Sequence, residues 1–394
     1  MRRKLLLAFL TTVMLMVGQP ASAGVNVSLN GFLGGGGWYR SNVSVFLSCT
    51  GTCDEIEVRF NNGPLAAIIH GSGSVSLGMQ GITTVNYQEV DVFCFFGCSR
   101  TYGPPQSIVV KIDTFAPGGA VSLSPPDGSN GWYRSAATVS RSCTDLSPGS
   151  GCQSISWRVG AGPTTVVPGA QMSFQVTGDA AHSVVTSSTD VAGNNSPPVT
   201  TIVRIDGTAP ATTVSMSPPD GANGWYLDPS HITHLPSCSD ATSGCASTHS
   251  ALNAAPPGSV DFIAAGEGMH SLNYKSFDVA GNDEAVKSTP VNIDLQPPSV
   301  SLDPVGLEAP LGLPRVAVGA QMLSAQASDS MSGVGSVTFY SDNLPVGTDT
   351  DRSDGWSVPW TPSMGTHNVH AVAQDIAGRT ALSASSTVYA TGLP

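Results

Sequence analysis

Short sequence markers recur along this chain in a fixed order, and this repetition constrains the fold more than any other feature. The first marker ends in Gly-Trp-Tyr, which occurs at 37–39, 131–133 and 224–226. In the second and third copies, Pro-Pro-Asp-Gly precedes it. The three Trp residues are spaced by 94 and 93 positions. Such regular spacing predicts tandem copies of one structural unit.

Two further markers follow the first in every complete copy. One is Asp-Val-Ala-Gly-Asn, at Asp190–Asn194 and Asp278–Asn282, with the variant Asp375–Arg379. The other is a closing Ile-Asp, which ends at Asp113, Asp206 and Asp294 and is followed four positions later by Pro. The shared order predicts four repeats, the first of them divergent, with boundaries at 24–117, 118–210, 211–298 and 299–394.

Within a repeat, apolar residues alternate with polar ones. Val43, Val45 and Leu47 are separated by Ser44 and Phe46, and the segments 270–278 and 367–375 alternate in the same way. A period of two is typical of half-buried strands. Short strands separated by Gly, Pro, Asn and Asp clusters predict an all-β chain of two-sheet β-sandwiches. Because the Pro-containing connections between repeats are short, we expect a stiff, monomeric rod.

The N-terminus has the pattern of a secretory signal peptide at 1–23. Three cations precede the apolar run 5–17, and Ala21-Ser22-Ala23 forms a small-x-small cleavage site. The run is shorter than the roughly 18–20 residues of a membrane span. We therefore expect a secreted or cell-surface protein with no membrane span after signal cleavage.

The net charge disfavours two classes of partner. The chain has 16 Lys+Arg against 28 Asp+Glu, a net charge of −12. Nucleic acids and anionic membrane surfaces both select basic patches. The expected partner is an extracellular protein or glycan.

All eight cysteines lie in close pairs, which in an exported protein predicts disulfides. The pairs are Cys49/Cys53, Cys94/Cys98, Cys143/Cys152 and Cys238/Cys245. In repeats 2 and 3 the pair brackets an Asp…Ser-Gly turn. In repeat 1 the four cysteines allow two local bridges, two cross-sheet bridges or a four-thiolate zinc site. Local bridges are favoured, because an oxidising compartment disfavours zinc thiolates.

The markers together resemble the bacterial immunoglobulin-like repeats of secreted and cell-surface proteins, including those of large leptospiral outer-surface proteins. Residues 299–394 resemble a sister type, through Gly333–Tyr340, Pro345–Asp349 and Trp360. Repeat 1 departs from the pattern, with Asp91-Val-Phe-Cys-Phe in place of Asp-x-Ala-Gly-Asn. The resemblance implies a tandem array of four immunoglobulin-like β-sandwich domains with a structural or adhesive role and no catalytic residues.

Histidine is the residue type that most invites an enzymatic interpretation. His182, His270 and His367 each precede a marker Asp by eight positions. One position repeated in three modules indicates a structural role at a strand end. No nucleophile, metalloprotease or phosphate-binding motif accompanies them. We therefore expect neither catalysis nor a cofactor.

One turn in repeat 4 is a weak candidate for calcium. The stretch that contains Asp349, Asp351 and Asp354 places carboxylate and hydroxyl oxygens at alternate positions, as in hard-cation loops. It lacks a Glu at the twelfth position and contains Arg352. In the sister family this stretch is a strand-to-strand turn, where Asp and Gly serve backbone geometry. The turn interpretation is favoured over a metal site.

These patterns predict a non-enzymatic exported protein that acts as an extracellular spacer or an adhesive surface. The alternative is a glycan-binding or hydrolase-accessory array, in which Trp38, Trp132 and Trp225 would stack on sugar rings. We favour the first function because a Trp at the start of a strand normally covers the end of a core. Any binding is expected in inter-strand segments that differ between repeats, namely 61–74, 160–171, 251–265 and 342–355.

Overall fold

The computed structural model describes residues 24–51, 53–94, 97–253, 255 and 260–391, so the predicted signal peptide lies outside the described residues. The described residues are almost entirely strands and turns, which confirms the all-β prediction. The single α-helix assigned there is α1 (Phe262–Ala265). Short 3-10 turns occupy Gly35–Gly37, Ala222–Gly224, Pro229–His231 and Pro310–Gly312. No helix in this part of the chain has the length and apolar character of a membrane span.

Sixteen strands fall in the first two predicted repeats. Repeat 1 contains β1 (Val25–Asn30), β2 (Trp38–Tyr39), β3 (Val43–Cys49), β4 (Glu55–Phe60), β5 (Leu65–His70), β6 (Ser72–Leu77), β7 (Gly81–Cys94), β8 (Cys98–Tyr102) and β9 (Gln106–Ile112). Repeat 2 contains β10 (Val121–Leu123), β11 (Ala137–Ser142), β12 (Cys152–Val159), β13 (Thr165–Pro168), β14 (Gln171–Val176), β15 (Ala180–Asp190) and β16 (Val199–Ile205).

The remaining strands fall in the last two predicted repeats. Repeat 3 contains β17 (Ala211–Met216), β18 (Trp225–Tyr226), β19 (His234–Ser239), β20 (Cys245–Leu252), β21 (Gly268–Asp278) and β22 (Lys287–Ile293). Repeat 4 contains β23 (Ser299–Leu302), β24 (Arg315–Val318), β25 (Gln321–Ser328), β26 (Val334–Ser341), β27 (Leu344–Asp349), β28 (Trp356–Trp360), β29 (Gly365–Asp375), β30 (Thr380–Leu382) and β31 (Ser386–Thr391).

Each predicted repeat contributes two sheets, as expected for a β-sandwich. The smaller sheets are β1-β3-β6, β10-β11-β14, β17-β19 and β23-β25-β28. The larger sheets are β2-β9-β7-β4-β5 with β8, β13-β12-β15-β16, β18-β22-β21-β20, and β24-β31-β29-β26-β27 with β30. No sheet in the described residues mixes strands of two repeats. The tandem immunoglobulin-like fold is thereby confirmed.

The chain forms two compact units, Met1–Gly207 and Thr208–Pro394. The first, unit 1, holds predicted repeat 1 and almost all of repeat 2. The second, unit 2, holds the last three residues of repeat 2 and the whole of repeats 3 and 4. The exact limits of the four repeats stay predictions.

Alternation along the strands determines which side chains reach the core. In β3, Val43, Val45 and Leu47 are fully buried, whereas Phe46 between them is exposed. The core of repeat 4 contains Phe339 together with Trp356, Trp360 and the small residues of β29 and β31. Each sandwich therefore closes around a core of its own, as period-two patterning predicts.

The structure forms four disulfides, each within a local segment: Cys49–Cys53, Cys94–Cys98, Cys143–Cys152 and Cys238–Cys245. The repeat 1 pairs are the local bridges favoured from the sequence. The Cys94–Cys98 bridge closes the β7–β8 hairpin. The other three close the equivalent connection between the two sheets of repeats 1, 2 and 3, for example β11 to β12. Repeat 4 makes the same connection, from β25 to β26, without cysteines.

We expect replacement of Cys143 and Cys152 by Ala to lower the free energy of unfolding of repeat 2 by about 2–3 kcal/mol, because the bridge restricts a loop of about ten residues in the unfolded chain. Hydrogen exchange of the β11 and β12 amides under global-unfolding conditions measures the change. Wild-type protein treated with reductant is the control and should match the variant. Equal protection in the oxidised wild type and the variant would contradict this account.

Candidate functional site

The first and last markers of a repeat lie side by side. In repeat 1, β2 runs parallel to β9, and the Asp113 N–H donates to the Tyr39 carbonyl at 2.9 Å. In repeat 3, β18 runs parallel to β22, and the Asp294 N–H donates to the Tyr226 carbonyl at 2.9 Å. The Gly-Trp-Tyr segment therefore fixes the Asp that closes the last strand.

The Asp-x-Ala-Gly turn of the following repeat hydrogen-bonds to the turn that precedes Trp-Tyr. In unit 1, the Gly35 N–H donates to the Ala192 carbonyl at 2.9 Å, and Arg40 Nη1 donates to the Gly193 carbonyl at 2.9 Å. In unit 2, the Ala222 N–H donates to the Ala377 carbonyl at 2.7 Å. All three markers thus meet where two repeats touch within a unit.

The last residue of the Asp-x-Ala-Gly-x marker reaches back to the preceding repeat. Asn194 Nδ2 donates to the carbonyls of Asp113 (3.0 Å) and Phe115 (3.1 Å). In repeat 4, Arg379 takes this position, and its Nε donates to the Asp294 carbonyl at 3.0 Å. The Arg variant of the marker therefore makes the same bridge with a longer, charged donor.

Three aspartates converge at each of these contacts. We name Asp113, Asp145 and Asp190 the unit 1 cluster, and Asp294, Asp329 and Asp375 the unit 2 cluster. In each, one carboxylate oxygen from every member lies within 4.8 Å of the other two. The first Asp closes one repeat, and the other two belong to the repeat that follows. Four of the six are buried, and Asp145 and Asp329 are half-buried.

Backbone N–H groups orient the carboxylates of the unit 1 cluster. The Ser150 N–H donates to Asp113 Oδ2 at 2.7 Å, and the Gly151 N–H donates to Asp145 Oδ2 at 2.6 Å. Asp190 Oδ1 accepts the N–H of its own turn, from Gly193 at 2.7 Å. The Ser-Gly turn therefore donates hydrogen bonds both to the Asp that closes one repeat and to an Asp of the next repeat.

The unit 2 cluster repeats this arrangement. The Ser332 N–H donates to Asp294 Oδ2 at 3.3 Å, and the Gly333 N–H donates to Asp329 Oδ1 at 2.7 Å. Asp375 Oδ1 accepts the Arg379 N–H at 2.7 Å. Both clusters are thus held by turn geometry that the sequence markers specify.

One oxygen in each cluster has no hydrogen-bond partner, although it is buried: Asp145 Oδ1 and Asp375 Oδ2. None of the ion pairs among the described residues includes a cluster member. Burial raises the pKa of Asp145, and the charges of Asp113 and Asp190 raise it further. Burial also raises the pKa of Asp375, with added repulsion from Asp294 and Asp329. Because no positively charged side chain of the described residues pairs with them, burial and mutual repulsion disfavour the ionised form of these carboxyls.

The predicted weak calcium candidates lie elsewhere, Asp349 at the end of β27 and the other two on the connection from β27 to β28. Asp349 Oδ1 accepts the Asp351 N–H at 2.8 Å, and Asp351 Oδ1 accepts the Ser353 N–H at 2.9 Å. Asp354 is exposed. These are turn hydrogen bonds, and the three side chains form no cluster of convergent ligand atoms among the described residues. The clusters were missed from the sequence, although an Asp in the second and third markers was the available signal.

The repeated histidines anchor the long strand of each repeat. The Nε2 atoms of His182, His270 and His367 donate to the carbonyls of residues 178, 266 and 363, at 2.8, 3.1 and 2.9 Å. In every case the acceptor is four residues earlier, in the turn that leads into the strand. This contact gives the shared position a structural role.

The marker tryptophans do not form an exposed platform. Trp38 and Trp225 are each 8% exposed, and Trp132 is half-buried. The neighbouring Tyr133 and Tyr226 enter the repeat cores. Their hydroxyls donate to the carbonyls of Ser124 and Ser217. The Tyr of the marker, more than its Trp, closes the core.

The segments expected to form variable binding loops are partly strands. The segments 61–74, 160–171 and 342–355 contain β5, β13 and β27, which are edge strands of the larger sheets. The segment 251–265 contains α1 and several residues outside the described part of the chain. Edge strands were not expected there, because Gly and Pro flank short apolar stretches that by themselves resemble loops.

Comparison with known proteins supports the fold. Residues 305–371 match the family model of a bacterial Ig domain, which confirms the predicted resemblance. No curated protein matches the chain. The match covers part of repeat 4, and the described residues of all four predicted repeats form two-sheet β-sandwiches.

Several solved structures resemble the chain at low identity. Fibronectin(III)-like modules of Clostridium thermocellum CbhA share 15% identity, covering 70% of this chain and 94% of theirs, with a TM-score of 0.21. A structure from a 1.5-MDa bacterial ice-binding adhesin shares 15% identity over 95% and 99%, with a TM-score of 0.27. The BSP domain of a biofilm associated protein shares 8% identity over 94% and 97%, with a TM-score of 0.20.

Substitution of Gly34 tests the contact between repeats 1 and 2. A Cβ there would lie 2.0 Å from the Ala192 carbonyl oxygen, so Gly34→Ala should separate the two turns. We expect the Gly35 amide, which donates to Ala192, to exchange roughly tenfold faster or more, while β3 amides keep their protection. Gly51→Ala is the matched control, since a Cβ at Gly51 meets open space. Unchanged exchange at Gly35 in Gly34→Ala would refute the contact.

The pH dependence of repeat 4 tests the role of His367. Its hydrogen bond to the Ser363 carbonyl, and then its contact with Asp342, raise the pKa of His367. A raised folded pKa stabilises the fold below the unfolded value of about 6.5, and this contribution is lost as the pH rises through the folded pKa. We expect the melting temperature of repeat 4 to fall between pH 6 and pH 8 by more in the wild type than in His367→Gln. Parallel pH profiles for the two proteins would contradict the assignment.

Proposed function

We propose that this chain is a non-enzymatic exported protein whose immunoglobulin-like modules act as an extracellular spacer or interaction surface. The observation that carries the proposal is the use of the repeated markers. Within each unit, residues of all three markers form the contacts between successive repeats. A chain whose repeated residues serve to join modules is suited to spanning distance and presenting surfaces.

Export is supported by two independent properties of the chain. The sequence at 1–23 has the pattern of a signal peptide, the cysteines are all paired, and disulfides persist in oxidising compartments. The net charge of −12 disfavours nucleic acids and anionic membranes as partners. The partner we propose is an extracellular protein or a glycan.

The edge strands β5, β13 and β27 are the surface we propose for that partner. Each pairs on one side only, with β4, β12 or β26, so its other edge has free backbone groups. Such an edge can accept an added strand from a partner protein. The exposed side chains of Leu65, Val166 and Leu344 lie on these three strands.

Fractionation of producing cells tests the proposal. We expect the protein in the medium or on the surface, accessible to external protease, with Gly24 as its first residue. A matched variant that lacks residues 1–23 should stay inside the cell. Wild-type protein found uncleaved in the cytoplasm would overturn the proposed function.

A further inference from the structure

We propose that the unit 1 and unit 2 clusters are binding sites for a divalent hard cation of the Ca²⁺ class, each shared by two successive repeats. In each site, one ligand closes a repeat and two ligands belong to the repeat that follows. The ion would join residues that are about 80 positions apart in the sequence, from Asp113 to Asp190 and from Asp294 to Asp375.

The spacing of the oxygens fits such an ion. Calcium binds oxygen at about 2.3–2.6 Å, so two ligands on opposite sides of it are at most about 4.6–5.2 Å apart. The cluster oxygens lie within 4.8 Å of one another. The donors are carboxylates alone, which suits calcium or magnesium, whereas zinc sites in proteins include His or Cys ligands.

A buried, unpartnered oxygen points to a ligand independently of the spacing. Asp375 is 3% exposed, and its Oδ1 is held by the Arg379 N–H, while Oδ2 is buried and accepts no hydrogen bond. Carboxylate oxygens of Asp294 and Asp329 converge with one of Asp375 within 4.8 Å and add negative charge there. A buried carboxylate oxygen is costly unless it is paired or coordinates a metal. In the unit 1 cluster, the buried oxygen without a hydrogen-bond partner is Oδ1 of Asp145, a half-buried residue that is the counterpart of Asp329.

No side chain supplies the missing positive charge. Arg379 is adjacent to the unit 2 cluster, but its Nε and Nη2 donate to the backbone carbonyls of Asp294 and Leu227. In unit 1 the equivalent residue is the neutral Asn194, whose Nδ2 reaches Asp190 Oδ2 at 2.9 Å. Three carboxylates therefore remain with no ion pair, and a divalent cation would neutralise most of their charge.

The two sites should differ in affinity. The guanidinium of Arg379 lies beside the unit 2 cluster and repels a cation, whereas Asn194 in unit 1 does not. We therefore expect the unit 1 cluster to bind the ion more tightly. Extracellular calcium modules typically have dissociation constants of about 10⁻⁴–10⁻³ M, which sets the range to examine.

Calcium titration of the full chain tests the proposal. The protein is stripped with chelator and titrated with CaCl₂ by calorimetry and equilibrium dialysis. We expect Asp190→Asn and Asp375→Asn each to lose one bound ion, or at least tenfold in affinity at one site. Asp354→Asn is the matched control: it removes the same charge from an exposed turn outside the clusters and should bind as the wild type does.

Melting in chelator separates a metal site from a purely structural one. Asp375→Asn removes one charge from a repulsive cluster, so it should melt no lower than the wild type in chelator and gain less from calcium. If Asp375→Asn does not fold, Asp329→Asn, at a half-buried position, provides the same comparison. The measurement needs no cells, so its result is independent of the proposed extracellular role.

Three outcomes would overturn the proposal. One is a wild-type chain that binds neither Ca²⁺ nor Mg²⁺ at about 10 mM, tenfold above the weakest extracellular calcium modules. Another is unchanged binding in both cluster variants. The third is lower melting of the variants in chelator without any change in binding, which would make the aspartates acceptors for the turn amides only. Binding of Mg²⁺ alone would overturn the calcium class.

Discussion

The hydrogen-bonded contact between the turn before Trp-Tyr in one repeat and the Asp-x-Ala-Gly turn in the next organises each unit. It forms between backbone groups, as at Gly35 and Ala192, so it depends on close approach more than on side-chain identity. Gly34 has no room for a Cβ, which explains the glycine four positions before Trp38. The aspartates converge because this contact brings the end of one sandwich against the Ser-Gly turn of its neighbour.

Much of the fold could be predicted from the sequence, because it is encoded in short-range patterns. Alternation in β3 identified the buried face, with Phe46 outside and Leu47 inside, and spacing of the markers identified the repeats. The resemblance to bacterial immunoglobulin-like domains was likewise carried by local motifs. Edge strands such as β13 were not predictable in this way, because a four-residue strand between Gly-containing turns has too few residues to show a period.

The candidate site was harder to predict, since it depends on residues far apart in the chain. Asp113 and Asp190 belong to different markers, and no motif places their oxygens together. The sequence pattern pointed to Asp349 and Asp351 as calcium candidates, but their carboxylates accept hydrogen bonds from backbone amides of the turn. The informative signal was the recurrence of Asp at equivalent positions in successive repeats. This recurrence predicts a cluster only if the end of one repeat is known to contact the second marker of the next.

The Cys143–Cys152 bridge has a consequence beyond stability, because it closes the connection that carries Asp145. A covalently closed connection has fewer conformations, so placing Asp145 beside its two partners requires little additional ordering. The equivalent connection in repeat 4 has no bridge, and Asp329 depends on the Met331 and Gly333 amides for its orientation. The two clusters therefore differ in preorganisation as well as in charge. In unit 1, the Cys143–Cys152 disulfide therefore contributes to the ordering of the carboxylate cluster, and its reduction would weaken that ordering.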